Sequence, residues 1–171
     1  MFILIVLDFP KANHLFHLVV PRVGFGTAAL AGDKSKIVKM AFDAGYRHFD
    51  SASDKGPWYK SQASVGWLMR KQVSATQGTE AKLALKKSLM VTSKMHPFDF
   101  NLERAKMSLH NTFANLQREY VDLYLLHYPS CGAKGDTWLC QERDGLEGSW
   151  RDVWPFLESE YHRGVLGALG V

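Results

Sequence analysis

Cysteine is almost absent, with Cys131 and Cys140 the only two in 171 residues. Two thiols cannot build the disulfide framework of a small secreted domain, so the sequence points to a reducing compartment, the cytoplasm, with a single bond between them left open. Neither C-x-x-C nor H-E-x-x-H occurs, and His14 and His17 stand by themselves in the N-terminal stretch. Zinc requires about four converging ligands, and no metal site is expected. Long apolar runs are missing too. Met1 to Leu7 falls far short of the roughly 20 residues of a spanning helix, and it closes on Asp8, Pro10 and Lys11 without a basic leader or a small-residue cleavage site. It reads as a leader or an edge strand, and no membrane partner is expected. The basic residues are scattered over a net charge of +4, apart from the loose run Lys82, Lys86 and Lys87. Nucleic-acid binding calls for a clustered basic face, so no nucleic-acid partner is expected. A Walker loop is absent, and Gly24-Phe25-Gly26-Thr27 makes a poor dinucleotide fingerprint because Ala29 stands where the third glycine belongs. Small residues beside crowded neighbouring backbone explain those glycines more simply.

What the chain does contain is ordinary globular material, 46% hydrophobic and 22% charged, in a length that suits one domain rather than two. A short strand-like run followed by a helical pattern recurs. The strand runs are Val23 to Gly26, Tyr46 to Phe49, Leu89 to Ser93, Val121 to Leu126 and Val165 to Val171. Asp33 or Ser35 can cap a first helix through Ile37, Val38, Ala41, Phe42 and Ala44, stopped by Gly45. Gln62 to Lys71 predicts a second. Asn101 caps a third, with Leu102, Ala105, Leu109, Thr112, Phe113 and Leu116 on one face. Ser149 and Asp152 form a capping-box pattern ahead of a fourth, which Pro155 interrupts. Gln72 to Ser88 and Ser130 to Gly148 read as polar surface loops. Strand alternating with helix predicts an α/β fold with a parallel sheet.

Three ionisable residues, Asp50, Lys94 and His127, each follow the last apolar residue of a predicted parallel strand. The C-terminal strand ends of such sheets line the ligand crevice. Singly, each has a plain structural explanation. Together, a carboxylate, an ammonium and an imidazole around one mouth make a proton-transfer site.

At these residues the chain resembles the aldo-keto reductase family. The resemblance is carried by Phe25-Gly26-Thr27, by Ala44 through Ala52 (AGYRHFDSA), by Val91-Thr92-Ser93-Lys94 and by Val121 through Pro129 (VDLYLLHYP), in the family's order. It implies a (β/α)8 TIM-barrel fold, here truncated after about five strands, with residues 1–20 as leader and residues 21–171 as a partial barrel domain. It also implies NADPH-dependent reduction of a small-molecule aldehyde or ketone by an Asp, Tyr, Lys, His tetrad. Asp50, Lys94 and His127 match directly. The family's tyrosine falls five residues after the aspartate, at Lys55 here, whereas Tyr59-Lys60-Ser61-Gln62 through Gly66 keeps the spacing of Tyr-x-Asn-Glu-x-x-Val-Gly. Tyr59 is therefore aligned as the proton donor, with a four-residue insertion in residues 53–58. Gly26, Thr27 and Asp50 are expected to bind cofactor, and Trp58, His127 and Tyr128 to wall the substrate. Lys94 is expected to lower the phenol pKa of Tyr59, and Asp50 to hold Lys94. A complete barrel would be a monomer. The alternative is a non-catalytic fragment or a binding module like the barrel subunits of channels; retention of all four tetrad residues favours the enzyme.

Overall fold

The computed structural model describes residues 20–55, 58–130 and 148–171. Five parallel strands, β1 (Phe25–Gly26), β2 (His48–Asp50), β3 (Met90–Met95), β4 (Leu123–Leu126) and β5 (Leu169–Gly170), lie in the order β1-β2-β3-β4-β5. Strand order equals chain order. A doubly wound sheet reverses direction at a switch point, and this one does not, which is the wall of a (β/α)8-type barrel. The helices α1 (Lys34–Asp43), α2 (Gln62–Ala75), α3 (Thr79–Ser88), α4 (Leu102–Leu116) and α5 (Trp150–His162) fill the crossovers, with a short 3-10 turn at Pro97–Asp99.

Alternation along the strands sorts side chains into two layers. Phe49, Val91, Met95, Tyr124, Leu126 and Leu169 face the helices and join the main core with Val38, Val65, Leu68, Leu109 and Leu157. Met90, Leu123 and Ala168 point the other way and form a smaller cluster on the concave face. His48, Asp50, Thr92 and Lys94 share that second parity, and His48 Nε2 meets Thr92 Oγ1 at 2.8 Å. The strand register therefore delivers Asp50 and Lys94 to the same surface near its C-terminal rim.

The local signals hold at the caps. Asp33 accepts from the Lys36 amide at 3.1 Å, Asn101 from Glu103 at 3.0 Å, and Asp152 from the Ser149 amide at 2.6 Å. Pro155 lies inside α5 without breaking it, because the proline is exposed and the carbonyl it leaves without a donor belongs to exposed Arg151. The expected loop at 72–88 is corrected: α2 runs on to Ala75, and after Gly78 (φ +82°) residues Thr79–Ser88 form α3. Its alanine, leucine and lysine content is strongly helix-forming, and the polar character that reads as loop is the composition of an exposed helix. Leu102, expected on the buried face of α4, is 43% exposed, and Ser108 occupies the inner face instead. Of the Gly24/Gly26 pair, only Gly24 is crowded, since a Cβ there would stand 2.8 Å from the His48 ring, while one at Gly26 would meet nothing within 4 Å. Cys131, Cys140, His14, His17 and residues 1–19 lie outside the described residues. No described helix is long and apolar enough to cross a membrane, and the described residues hold no cluster of three or more metal-ligating side chains.

Candidate active site

Asp50 closes β2, Lys94 lies one residue before the end of β3, and His127 follows β4, its amide tied to the Met95 carbonyl at 2.9 Å. The Lys94 ammonium donates to the Asp50 carboxylate, to the Ser51 carbonyl at 2.8 Å and to the Tyr59 hydroxyl at 3.4 Å. Tyr59 is not on a strand. It reaches the rim because α2, which starts three residues later, is pinned at its N-terminus: buried Ser61 shares a 2.7 Å hydrogen bond with Thr27, and buried Gln62 donates to Ser93 Oγ at 2.8 Å. Ser93 precedes Lys94, so one amide links the helix that places the tyrosine to the strand that places the lysine. The Ala29 amide, in the left-handed region at φ +52°, adds a bond to the Trp58 carbonyl at 2.7 Å.

Tyr59, His127 and Tyr128 form an aromatic group. The Tyr59 and His127 rings meet edge to face at 5.3 Å, and Tyr128 stacks on His127 at 4.3 Å and 15°. Trp58 is 56% exposed, an outer-rim aromatic rather than an inner wall. Lys55, the alternative to Tyr59 by simple spacing, lies over the Phe98 ring at 4.9 Å and makes none of these contacts. Thr27 is fully buried, with its hydroxyl also donating to the Asp50 carbonyl at 2.9 Å. It braces the mouth from behind, while Gly26 and the partly exposed Asp50 carboxylate face the open side. One residue goes unnoticed in the sequence. His96 packs edge to face against both His127 (6.3 Å) and Tyr128 (6.5 Å). The two-residue alternation that carries Lys94 to this surface could have found it two positions on.

The electrostatics correct one expectation. The Tyr59 phenol lies above its ordinary value, not below: burial raises it, and the Asp50 charge raises it further. Lys94 is itself lowered by burial, against the pull of Asp50. With the hydroxyl at 3.4 Å and the carboxylate much closer, the ammonium's charge is spent on Asp50 first. His127 is pushed down to about 3, by burial and then by the positive charge of Lys94 and by His96. It is a neutral imidazole throughout the physiological range.

That depression has a stability consequence. Between about pH 3 and the ordinary histidine value of 6.5 the unfolded chain binds a proton at His127 that the folded chain refuses. The stability it confers is complete above pH 6.5 and drains away as pH falls through that window. In ¹⁵N-detected NMR titration the His127 ring is expected to remain neutral at pH 5, where an ordinary histidine is mostly protonated. A midpoint near 6.5 would show that the ring is neither buried as described nor faced by Lys94.

The chain matches the aldo/keto reductase family model over residues 22–171. It is 31% identical over 157 residues to aldo-keto reductase family 1 member A1 of Rattus norvegicus, covering 89% of this chain and 46% of that protein. It is 34% identical over 156 residues to deoxymugineic acid synthase 1 of Oryza sativa subsp. japonica, with coverage of 89% and 46%. Among solved structures, the aldose reductase of Schistosoma japonicum superposes with a TM-score of 0.67 at 25% identity, covering 88% of this chain and 48% of that one. The Giardia lamblia aldose reductase superposes at 0.71, at an identity of 24% that speaks to fold alone. The chain spans about half the length of the curated relatives it matches. A family match over nearly all of the described residues, joined to five parallel strands in chain order, establishes that the chain belongs to the aldo/keto reductase family.

Proposed function

We propose that this chain carries the proton-transfer centre of an NADPH-dependent carbonyl reductase, with Tyr59 as the proton donor. The observation that supports it most is the Lys94 ammonium, which touches the Asp50 carboxylate and the Tyr59 hydroxyl together beside a neutral imidazole. Family membership supports carbonyl reduction in general. When bound, NADPH supplies a hydride, and the residues facing the space for it are Gly26, whose Cα fronts an open volume, and Asp50.

The remaining work falls to this chain's own side chains. A carbonyl oxygen that gains negative charge requires a hydrogen-bond donor at about 2.6–3.2 Å, and the donor must keep its proton until that charge develops. Tyr59, with its phenol held above the ordinary range, keeps it at neutral pH. After transfer the phenolate lies beside Lys94, and the 3.4 Å contact from ammonium to neutral hydroxyl becomes an ion pair, which shortens and strengthens. Asp50 and the Ser51 carbonyl hold the ammonium in place for that moment. Neutral His127 donates a ring N–H to the carbonyl oxygen and fixes its direction, while Tyr128 stacks behind it and prevents rotation. In this reading Thr27 supports the cofactor side indirectly, through the Asp50 carbonyl.

The test is Lys94→Met in the protein, assayed by NADPH oxidation with a reactive aromatic aldehyde and by chemical denaturation. Turnover is expected to fall by about 10²-fold or more, because the phenolate loses its counter-charge. Stability is expected to fall as well, at or below the low end of the about 3–5 kcal/mol for breaking a buried pair, since the Asp50 side chain is 35% exposed and partly solvated. Wild-type turnover in this variant would overturn the assignment.

A further inference from the structure

At the opposite end of the strands, α2, α3 and the segment joining α4 to β4 enclose a cleft of about 460 Å³. Leu89, just before β3, and Tyr120, shortly before β4, line it. Leu89 and Lys94 are five residues apart along one strand direction, so the cleft lies roughly 16 Å from the tetrad at about 3.3 Å per residue. Its floor is apolar, with Met69, Leu89 and Leu116 buried and Val73 half-buried. Its charged lining is mostly cationic, with Arg70 from α2, Lys86 from α3 and Arg118, against the single carboxylate of Glu119. Arg118 is already engaged: it pairs with Asp122 at 2.9 Å and lies over the Tyr120 ring at 4.0 Å. Arg70 and Lys86 have no ion-pair partner among the described residues.

The outer wall of the cleft is the helix that the sequence pattern does not predict. Helix α3 buries none of its residues, yet it holds the one basic run of the chain, Lys82, Lys86 and Lys87, with Leu83 and Leu85 between them. Two unpaired cations at the mouth of an apolar floor define a ligand by chemistry. We propose that the cleft is a second binding site, separate from the tetrad, for an amphipathic monoanion: a carboxylate on a medium-length alkyl tail. The tail covers Met69, Val73, Leu89 and Leu116, and the carboxylate sits between Arg70 and Lys86. The volume falls within the about 300–1,000 Å³ of small-molecule sites, which are apolar with a few placed polar groups. A neutral alkane would leave both cations unused, and a polyanion such as nucleic acid would engage the rim and leave the floor empty. Occupancy would also give α3 an apolar surface to pack on besides α2.

The experiment is a ¹H–¹⁵N NMR titration of the protein with sodium decanoate, with decanol and acetate as tail-only and head-only probes. Decanoate is expected to give saturable shifts in α2, α3 and residues 116–120. Decanol and acetate are each expected to bind at least about tenfold more weakly, the scale of a hydrogen bond to a charged group. Arg70→Gln/Lys86→Gln is expected to weaken decanoate about tenfold or more, whereas Lys34→Gln/Lys36→Gln, the same change of charge on α1, leaves it unchanged. Because both pairs are surface substitutions, folding is preserved and the comparison isolates position from net charge. Equal affinity for decanol, equal loss in the two double variants, shifts centred on Tyr59, Lys94 and His127, or absence of saturation would each overturn the proposal.

Discussion

Tyr59→Phe is expected to lower aldehyde turnover by about 10²- to 10⁴-fold, the usual contribution of a positioned general acid, while cofactor affinity changes little. The change is small. The ring stays, and with it the edge-to-face contact with His127 at 5.3 Å and the position of the Lys94 ammonium 4.8 Å from the ring centroid. Lys94 keeps its two stronger acceptors, the Asp50 carboxylate and the Ser51 carbonyl, so the site does not collapse when its longest hydrogen bond disappears. What vanishes is the hydroxyl, and with it the proton to be donated. The pH profile adds a second readout. A phenol raised above 10.0 remains protonated through the neutral and mildly alkaline range, so donor loss should appear only above about pH 10 in the free wild-type enzyme, and that limb should be missing from the phenylalanine variant. Wild-type rates in Tyr59→Phe would place the acid elsewhere.

The part of this site that sequence reveals follows from strand periodicity. Asp50, Lys94 and His127 are legible because a parallel strand presents its C-terminal residue to the mouth, and the register Asp50↔Thr92 and Lys94↔Leu125 brings them to one rim. Tyr59 has no such periodicity. Its placement depends on Gln62 and Ser61 reaching across to Ser93 and Thr27, contacts between residues about 30 positions apart that no local pattern encodes. Only the spacing shared with the family selects it over Lys55. The sign of its pKa shift is also invisible in a sequence, since it depends on how far the fold buries the phenol and on how near it brings the Asp50 charge. Helix α3 is missed for a different reason: with no buried face, it has no apolar stripe to read, and only intrinsic propensity marks it.

Gly66→Ala, at the one glycine inside the described helices, is expected to cause a clear loss of stability. Gly66 lies buried in α2 where that helix crosses the C-terminal end of α4, and a Cβ there would stand 2.4 Å from the Leu116 carbonyl oxygen and 2.5 Å from those of Asn115 and from the Leu116 carbonyl carbon. All three obstacles are backbone, so no rotamer change relieves them, and the helices must part. Inserting volume into a packed contact of this kind costs about 1–3 kcal/mol or more, against a gain of only about 1 kcal/mol from replacing glycine by alanine inside a helix. The displaced helix also carries Gln62, so its bond to Ser93 and the approach of Tyr59 to Lys94 are strained together. Turnover should therefore fall with stability, although Gly66 itself lies far from any reacting atom. Gly26→Ala is the matched control for folding, because its Cβ would meet nothing within 4 Å. Thermal denaturation is expected to place Gly66→Ala several degrees below the wild type, at about 2–4 °C per kcal/mol for a domain of this size, and Gly26→Ala close to it. A Gly66→Ala protein that melts at or above the wild-type temperature would show that α2 and α4 do not meet backbone to backbone at this crossing.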